Sequence, residues 1–216
     1  MSEIDRCLQP TPIIDSDNPA VQQKANSLTR GQESIPEKAR SLFYLVRDQI
    51  RYNPYSPFFP LQASATLERG EGFCIQKAIL LTALARASGI PARLGFADIR
   101  NHIMPEKLLK IMGTNVFTYH GFTEFLIDEK WIKATPAFDL QMCQNNGIIP
   151  VEFDGLNHAI FHQYTEEGTL HIEYVRQHGS YEDVPVHDIL DAAARQQGKE
   201  FVRCWETGEW GPILER

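Results

Sequence analysis

The chain has 216 residues, and its 28 acidic side chains outnumber the 21 lysines and arginines, which gives a formal net charge of −7. Hydrophobic residues make up 43% and charged residues 23%, a composition typical of globular proteins and not of disordered or fibrous ones. The acidic balance argues against a nucleic acid as main partner, because phosphate binding needs concentrated positive charge.

The spacing of the cysteines and the N-terminal sequence indicate in which cellular compartment to expect the protein. The four cysteines contain no Cys-x-x-Cys pair, so neither a disulfide framework nor a zinc ribbon is indicated. The N-terminal residues lack the basic and apolar regions of a secretory signal, and no apolar run approaches the ~20 residues of a membrane span. We therefore expect a reduced, cytoplasmic protein that does not contact membranes, with a single domain over residues 1–216.

Helix signals dominate the first third of the chain. A residue that can cap a helix precedes Pro19, which predicts a helix that ends near Gly31. The capping-box pair Ser34 and Glu37 predicts the start of a second, amphipathic helix. Residues 53–60 contain three prolines and must be irregular.

The clearest pattern in the sequence is an apolar helix followed by a strand. Residues 74–88 form an uninterrupted helical stretch, Gly89 supplies a left-handed cap, and Pro91 blocks continuation. The segment 92–99 then reads as a strand.

The rest of the chain has weaker signals. After a loop with a short helix near 105–112 and a hairpin, we predict a strand over 169–175, a helix over 186–197 and coil to the end. No motif explains residues 140–216. This segment could extend the sheet, cover a cleft or form a contact between two copies of the chain, as in a homo-oligomer.

Cys74 is a candidate nucleophile because of its place in the sequence. It follows Gly72-Phe73 and opens the helix over 74–88, where the helix dipole and free N–H groups favour a thiolate and can bind a developing oxyanion. Taken alone, a cysteine at the edge of an apolar helix is more often a small core residue.

A thiol nucleophile needs a base, and His120 is the best placed of seven histidines. It lies in a predicted hairpin around Asp128-Glu129. If these two residues form the loop, paired residue numbers sum to 257 and His120 lies opposite Ala137. Thr135 and Asp139 are then diagonal neighbours at ~7–8 Å. A histidine and a threonine on a half-buried sheet would give the same pattern without catalysis.

Two blocks of the sequence resemble the transglutaminase-like superfamily of papain-type thiol enzymes. The first is Gly72-Phe73-Cys74, an apolar helix and the segment ARASGIPAR over 85–93. The second comprises a histidine, an aromatic residue, a glutamate, a turn and a tryptophan, here His120, Phe122, Glu124, Asp128-Glu129 and Trp131. Together the blocks cover about residues 35–139. The resemblance implies an α+β, papain/transglutaminase-like fold with N-terminal helices packed on an antiparallel sheet.

The resemblance also implies a site with Cys74 as nucleophile and His120 as base. The triad aspartate of the family falls at Thr135 in this chain. A threonine can accept a hydrogen bond from the imidazole but cannot stabilise imidazolium by charge. We therefore predict Asp139, with Thr135 as the alternative, as the group that orients His120. For Glu124 we predict a structural role, in a salt bridge or as a carboxylate behind His120, and not direct catalysis.

The reaction that the resemblance implies is acyl transfer from a peptide, a protein or a small amide or ester through a Cys74 thioester, with no cofactor. Water as acceptor gives a hydrolase or peptidase, and an amine gives a transglutaminase-type cross-linking enzyme. The absence of a calcium-loop pattern favours hydrolysis.

Two alternative functions remain open from the sequence. Thr135 in place of an aspartate suggests a binding module of the same fold whose catalysis has decayed. His158 and His162 have helical i, i+4 spacing, which would suit zinc, although no third ligand has a compelling spacing and no metal is expected.

Overall fold

The computed structural model describes residues 2–214, and within them the chain forms ten helices and six strands. The helices are α1 (Glu3–Arg6), α2 (Pro19–Thr29), α3 (Ile35–Gln49), α4 (Ala63–Arg69), α5 (Cys74–Ala87), α6 (Glu106–Met112), α7 (Leu140–Asn145), α8 (Val186–Gln197), α9 (Lys199–Thr207) and α10 (Gly211–Leu214). The strands are β1 (Arg51–Tyr52), β2 (Glu71–Gly72), β3 (Ala92–Asn101), β4 (Val116–Ile127), β5 (Lys130–Ala134) and β6 (Ile172–Tyr181).

A four-stranded antiparallel sheet in the order β5-β4-β3-β6 carries the fold. Helix α5 packs across β4 and β3 and also contacts α2, α3 and α4. Every residue of α5 from Ile75 to Arg86 is buried, polar and charged side chains included, so the helix runs through the core. The main core therefore lies between the sheet and the N-terminal helices, and the predicted fold class is confirmed.

The helix-start signals of the sequence act as predicted. The Asn18 side chain accepts a hydrogen bond from the Ala20 N–H at 2.9 Å and caps α2. Ser34 and Glu37 form the reciprocal capping box of α3. Gly89 follows α5 with φ +75°, in the left-handed conformation that ends the helix.

The hairpin between β4 and β5 has the predicted turn and register. Asp128 and Glu129 both have positive φ, as a two-residue type I′ loop requires. The paired residues run from Ile127–Lys130 to Thr123–Ala134, and their numbers sum to 257.

The predicted pairing of His120 with Ala137 is wrong, because β5 ends at Ala134. Beyond this residue the Thr135 N–H donates to the carbonyl of Ala159 at 2.8 Å, and the chain leaves β4. Pro136 follows and has no N–H with which to continue a ladder.

The C-terminal segment is more ordered than predicted. The predicted helix is α8 and the predicted strand is β6, but the predicted terminal coil is wrong, since α9 and α10 form there. Helix α9 buries Phe201 and Cys204, which join a second apolar cluster with residues of α6 and α8. Within residues 2–214, no helix has both the length and the hydrophobicity needed to cross a membrane.

Candidate active site

Cys74 is the first residue of α5, and the chain before it is held by a short parallel strand pair. β1 pairs with β2, and the Asn53 N–H donates to the Gly72 carbonyl at 3.0 Å. The Gln76 side chain folds back and accepts from the Phe73 N–H at 3.3 Å. A Cβ on Gly72 would lie 2.9 Å from Gln76 Oε1, so a larger residue would displace the Gln76 side chain that accepts from the Phe73 N–H.

Strand β4 meets the first turn of α5 at Gly121, the residue after His120. A Cβ on Gly121 would lie 3.0 Å from the Ile75 Cα, so the two backbones are in direct contact. The Gly121 N–H is close enough to the Cys74 thiol to act on its pKa, in the direction that favours the thiolate. The fold thus brings the thiol against the segment that carries His120.

Burial decides the protonation of both groups. It raises the pKa of Cys74 to about 11, although the N–H groups of Gly121 and Ile75 act in the opposite direction. It also lowers the pKa of His120 to about 3. At neutral pH the structure therefore holds a neutral thiol and a neutral imidazole. The N–H groups at the start of the helix favour a thiolate, as predicted, but desolvation outweighs them in this conformation.

Aromatic rings surround the imidazole of His120. Its ring centre lies 4.9 Å from that of Phe161 and 6.4 Å from that of Tyr174. The Tyr174 hydroxyl accepts from the Phe161 N–H at 3.4 Å, and burial raises the pKa of Tyr174 to about 12. Sequence reasoning assigned neither aromatic residue to the site, because only the long-range pairing of β6 and of residues 159–161 brings them there.

Neither predicted orienting group is hydrogen-bonded to His120. Its Nε2 is buried and has no hydrogen-bond partner among the described residues. The Thr135 hydroxyl lies beside the Tyr174 hydroxyl instead, and this contact opposes the rise in the pKa of Tyr174. The Asp139 carboxylate accepts from the Met142 N–H at 2.8 Å, which caps α7, and from the Tyr52 N–H at 2.8 Å. Asp139 therefore holds β1 on the cysteine side of the site, and a role at the imidazole stays a prediction for either residue.

A β-bulge directly precedes His120. Thr118 and Tyr119 of β4 together oppose Asp98 of β3, and Tyr119 has φ +54°. The Asp98 carboxylate accepts from the Tyr119 N–H at 3.1 Å and lies 2.6 Å from Nε2 of His178. The rings of Tyr119 and His178 stack at 3.9 Å. Such bulges redirect the following side chain, and no pattern in the sequence signalled this one.

Comparison with known proteins gives a family. The model of the transglutaminase-like superfamily matches residues 22–136, more than half of the chain. The chain belongs to the transglutaminase-like superfamily. No curated protein shows significant sequence similarity to it.

Two solved structures are similar to this transglutaminase-like protein, and the first of them shares its fold. A candidate cysteine protease from Cytophaga hutchinsonii matches with a TM-score of 0.53 and 19% identity, over 85% of this chain and 48% of the other. The periplasmic domain of TgpA from Pseudomonas aeruginosa matches with a TM-score of 0.45 and 20% identity, over 62% and 46% of the two chains. The chain thus spans about half the length of these structures.

Glu124 of the transglutaminase-like core forms the ion pair that the sequence predicts. Its carboxylate accepts from Arg93 Nε and from the Ser180 hydroxyl, both at 2.7 Å. The Arg93 guanidinium also lies over the Trp131 ring, 3.9 Å from its centre. This cluster joins β3, β4 and β6 four residues along β4 from His120.

A pocket of about 60 Å³ lies beside the thiol of the transglutaminase-like site. Cys74, Tyr52 and Phe73 form one side, and apolar residues of α6, α8 and α9 form the other. The C-terminal segment, which carries no recognisable motif, therefore builds part of the cavity next to Cys74.

The two histidines considered for zinc are not on a helix. Residues 158–162 are non-helical, with a β-bridge at Ala159, and the His158 Nδ1 accepts from the Lys133 N–H at 3.0 Å. The helical spacing assumed for His158 and His162 is therefore wrong. Within residues 2–214 no group of three or more His, Cys, Asp or Glu side chains could hold a metal ion.

Proposed function

We propose that the chain is a thiol hydrolase that cleaves an amide or ester bond through a thioester on Cys74, with His120 as the base. The observation that carries this proposal is the place of Cys74. It is partly exposed, it lines a pocket, and it faces the N–H that follows His120. The other three cysteines are at most 1% exposed, in keeping with core residues.

The reaction starts from the neutral Cys74 thiol and the neutral His120 imidazole. The Cys74 sulfur forms a bond to the carbonyl carbon while its proton passes to His120. The bond to the leaving nitrogen or oxygen then breaks as His120 returns that proton to it. Water then adds to the thioester carbon while its proton passes to His120. The bond from this carbon to the sulfur breaks as His120 returns the proton to the sulfur, which releases the carboxylic acid and regenerates the Cys74 thiol. The Gly121 N–H and the first N–H groups of α5 are the available donors to the oxyanion.

Two further features support this assignment. The fold is shared with a candidate cysteine protease, which favours peptides or proteins as substrates. All four cysteines are unpaired, as a reactive thiol in a reducing compartment such as the cytoplasm requires.

A second candidate function is a binding module of the same fold with decayed catalysis. It is favoured by the high pKa of Cys74 and by the unpartnered Nε2 of His120. In such a module the imidazole would not assist the thiol. The two functions therefore differ in whether the reactivity of Cys74 depends on His120.

The experiment is iodoacetamide labelling of Cys74 from pH 5 to 10, followed by mass spectrometry, in the wild type and in His120→Ala. The enzyme predicts labelling at pH 7 that falls at least tenfold in His120→Ala, because the base takes the thiol proton during attack. His171→Ala removes another buried imidazole and serves as the matched control.

The inert module predicts a labelling rate that rises with a single apparent pKa at or above ~8.5 and that does not change in His120→Ala. Cys74→Ser identifies the labelled residue. If that variant keeps the hydrolytic activity of the wild type on a peptide or ester substrate, Cys74 is not the nucleophile.

A further inference from the structure

The residues that line the pocket beside Cys74 favour apolar substrate groups over charged ones. Its walls come from three places: the segment after β1, the start of α5 with the adjoining part of β4, and the helices α6, α8 and α9. Among the described residues that line it, none is charged, and most are aliphatic or aromatic. Burying a charged group there without a partner would be costly, whereas burying an apolar one is favourable.

The volume of the pocket sets the size of the occupant. One water molecule needs ~10–15 Å³ of such space, so the pocket of about 60 Å³ holds about four to six heavy atoms. An isobutyl group, with four carbons, fits this space. A benzyl group, with seven, exceeds it unless the walls move.

The position of the pocket decides which part of a substrate enters it. Cys74 is itself a lining residue, so a carbonyl carbon bonded to its sulfur carries its own substituent directly to the pocket. Phe73 and Ile75, the residues before and after Cys74 in the chain, also line the cavity, and so does Ala193 of α8. The pocket is thus adjacent to the reacting carbon and not remote from it.

We infer that the acyl part of the substrate carries a compact, branched aliphatic side chain of about four carbons, as in a leucyl or isovaleryl group, and that this pocket binds it. The inference rests on the proposed function and adds the substrate class. It also gives the C-terminal segment a role, since α8 and α9 provide the wall that makes the site selective.

The test compares p-nitrophenyl esters of acetate, isovalerate and phenylacetate. In each reaction the Cys74 sulfur bonds to the carbonyl carbon of the ester, and the bond from this carbon to the nitrophenol oxygen breaks. His120 carries the thiol proton to the departing nitrophenol. The acylation rate is measured as the nitrophenol burst and by intact mass. We expect isovalerate to acylate Cys74 at least tenfold faster than either of the other esters.

Variants of the pocket wall make the test specific. Ala193→Leu fills the space, and we expect the ratio of isovalerate to acetate rates to fall at least tenfold. Ala194→Leu changes the adjacent residue of the same helix, which does not line the pocket, and should keep the wild-type ratio. Met112→Ala enlarges the pocket, and the phenylacetate rate should rise to that of isovalerate even if Ala193→Leu does not fold.

The outcomes separate this inference from the proposed function. Equal acylation of Cys74 by all three esters, with no effect of Ala193→Leu or Met112→Ala, overturns the pocket assignment and leaves the thiol enzyme standing. If no ester acylates Cys74 and its iodoacetamide labelling is independent of His120, the proposed function fails and the pocket assignment falls with it.

Discussion

The two halves of the candidate site are held in different ways. On the cysteine side, β1 and β2 pair through backbone hydrogen bonds, and Asp139 satisfies the Tyr52 N–H. Lys77, one turn into α5, is fully buried and donates to the carbonyls of Arg47 and Ile50 at 3.0 and 2.6 Å. On the imidazole side, by contrast, His120 follows a bulge with a residue at positive φ, and its Nε2 has no partner among the described residues.

This difference shows where the site is rigid and where it can be adjusted. The loop before Cys74 is fixed by groups whose hydrogen bonds are satisfied, so the backbone that carries the thiol is held in place. The backbone before His120 is held in an uncommon conformation by Asp98, while the imidazole packs against the rings of Phe161 and Tyr174. Changes near the imidazole should therefore affect reactivity, and changes behind the cysteine should affect stability.

The largest effect is expected at Asp98. Asp98→Ala leaves the Tyr119 N–H without its acceptor and releases the bulge, so His120 shifts relative to Cys74. Because misplacement by about 1 Å can cost ~100-fold, we expect the His120-dependent labelling of Cys74 at pH 7 to fall ten- to a hundredfold. Asp98→Asn keeps an acceptor and should restore most of this rate. Equal rates in Asp98→Ala and the wild type would show that the bulge does not position the imidazole.

The predictable parts of the fold are those with local causes. The caps at Asn18 and Ser34, the left-handed Gly89 and the two-residue loop at Asp128-Glu129 each act within a few residues, so the sequence alone predicts them. The pairing of Cys74 and His120 came from the resemblance, which links two blocks that no local rule connects.

The parts that could not be predicted depend on packing between distant segments. Burial raises the pKa of Cys74, and it outweighs the opposite effect of the N–H groups at the start of the helix, which is the only effect that the local sequence reveals. The pocket wall depends on α9 docking on α6 and α8. The end of β5 is an exception, since Pro136 was a visible signal that the ladder could not continue to Ala137.

An intermediate effect, on stability alone, is expected at Lys77. Burial lowers its pKa to about 7, so between pH 7 and its ordinary value of ~10.4 the unfolded chain binds more protons than the folded one. The free energy of unfolding should therefore rise with pH, by about 1.5 kcal/mol from pH 7 to 8.5. Above this window the raised pKa values of Cys74 and Cys143 act in the opposite direction.

Urea denaturation of Lys77→Met across this pH range measures the difference. The variant should be less stable overall, because two buried carbonyls lose their donor, and it should lack the rise with pH. Lys110→Met, which removes an exposed lysine, should keep the slope of the wild type. Parallel curves for Lys77→Met and the wild type would mean that Lys77 stays protonated in the folded protein.

The smallest effect is expected at Glu124, which lies on β4 but away from the imidazole. Glu124→Gln weakens a nearly buried pair with Arg93 while keeping an acceptor for the Ser180 hydroxyl, so we expect a loss of about 1–2 kcal/mol in the free energy of unfolding. Glu3 pairs with the same guanidinium but is exposed, and Glu3→Gln should cost less than about 0.5 kcal/mol. The labelling rate of Cys74 should stay within twofold in both variants. A tenfold loss of labelling in Glu124→Gln alone would extend the imidazole half of the site to this cluster, because the hairpin would then transmit the change along β4 to His120.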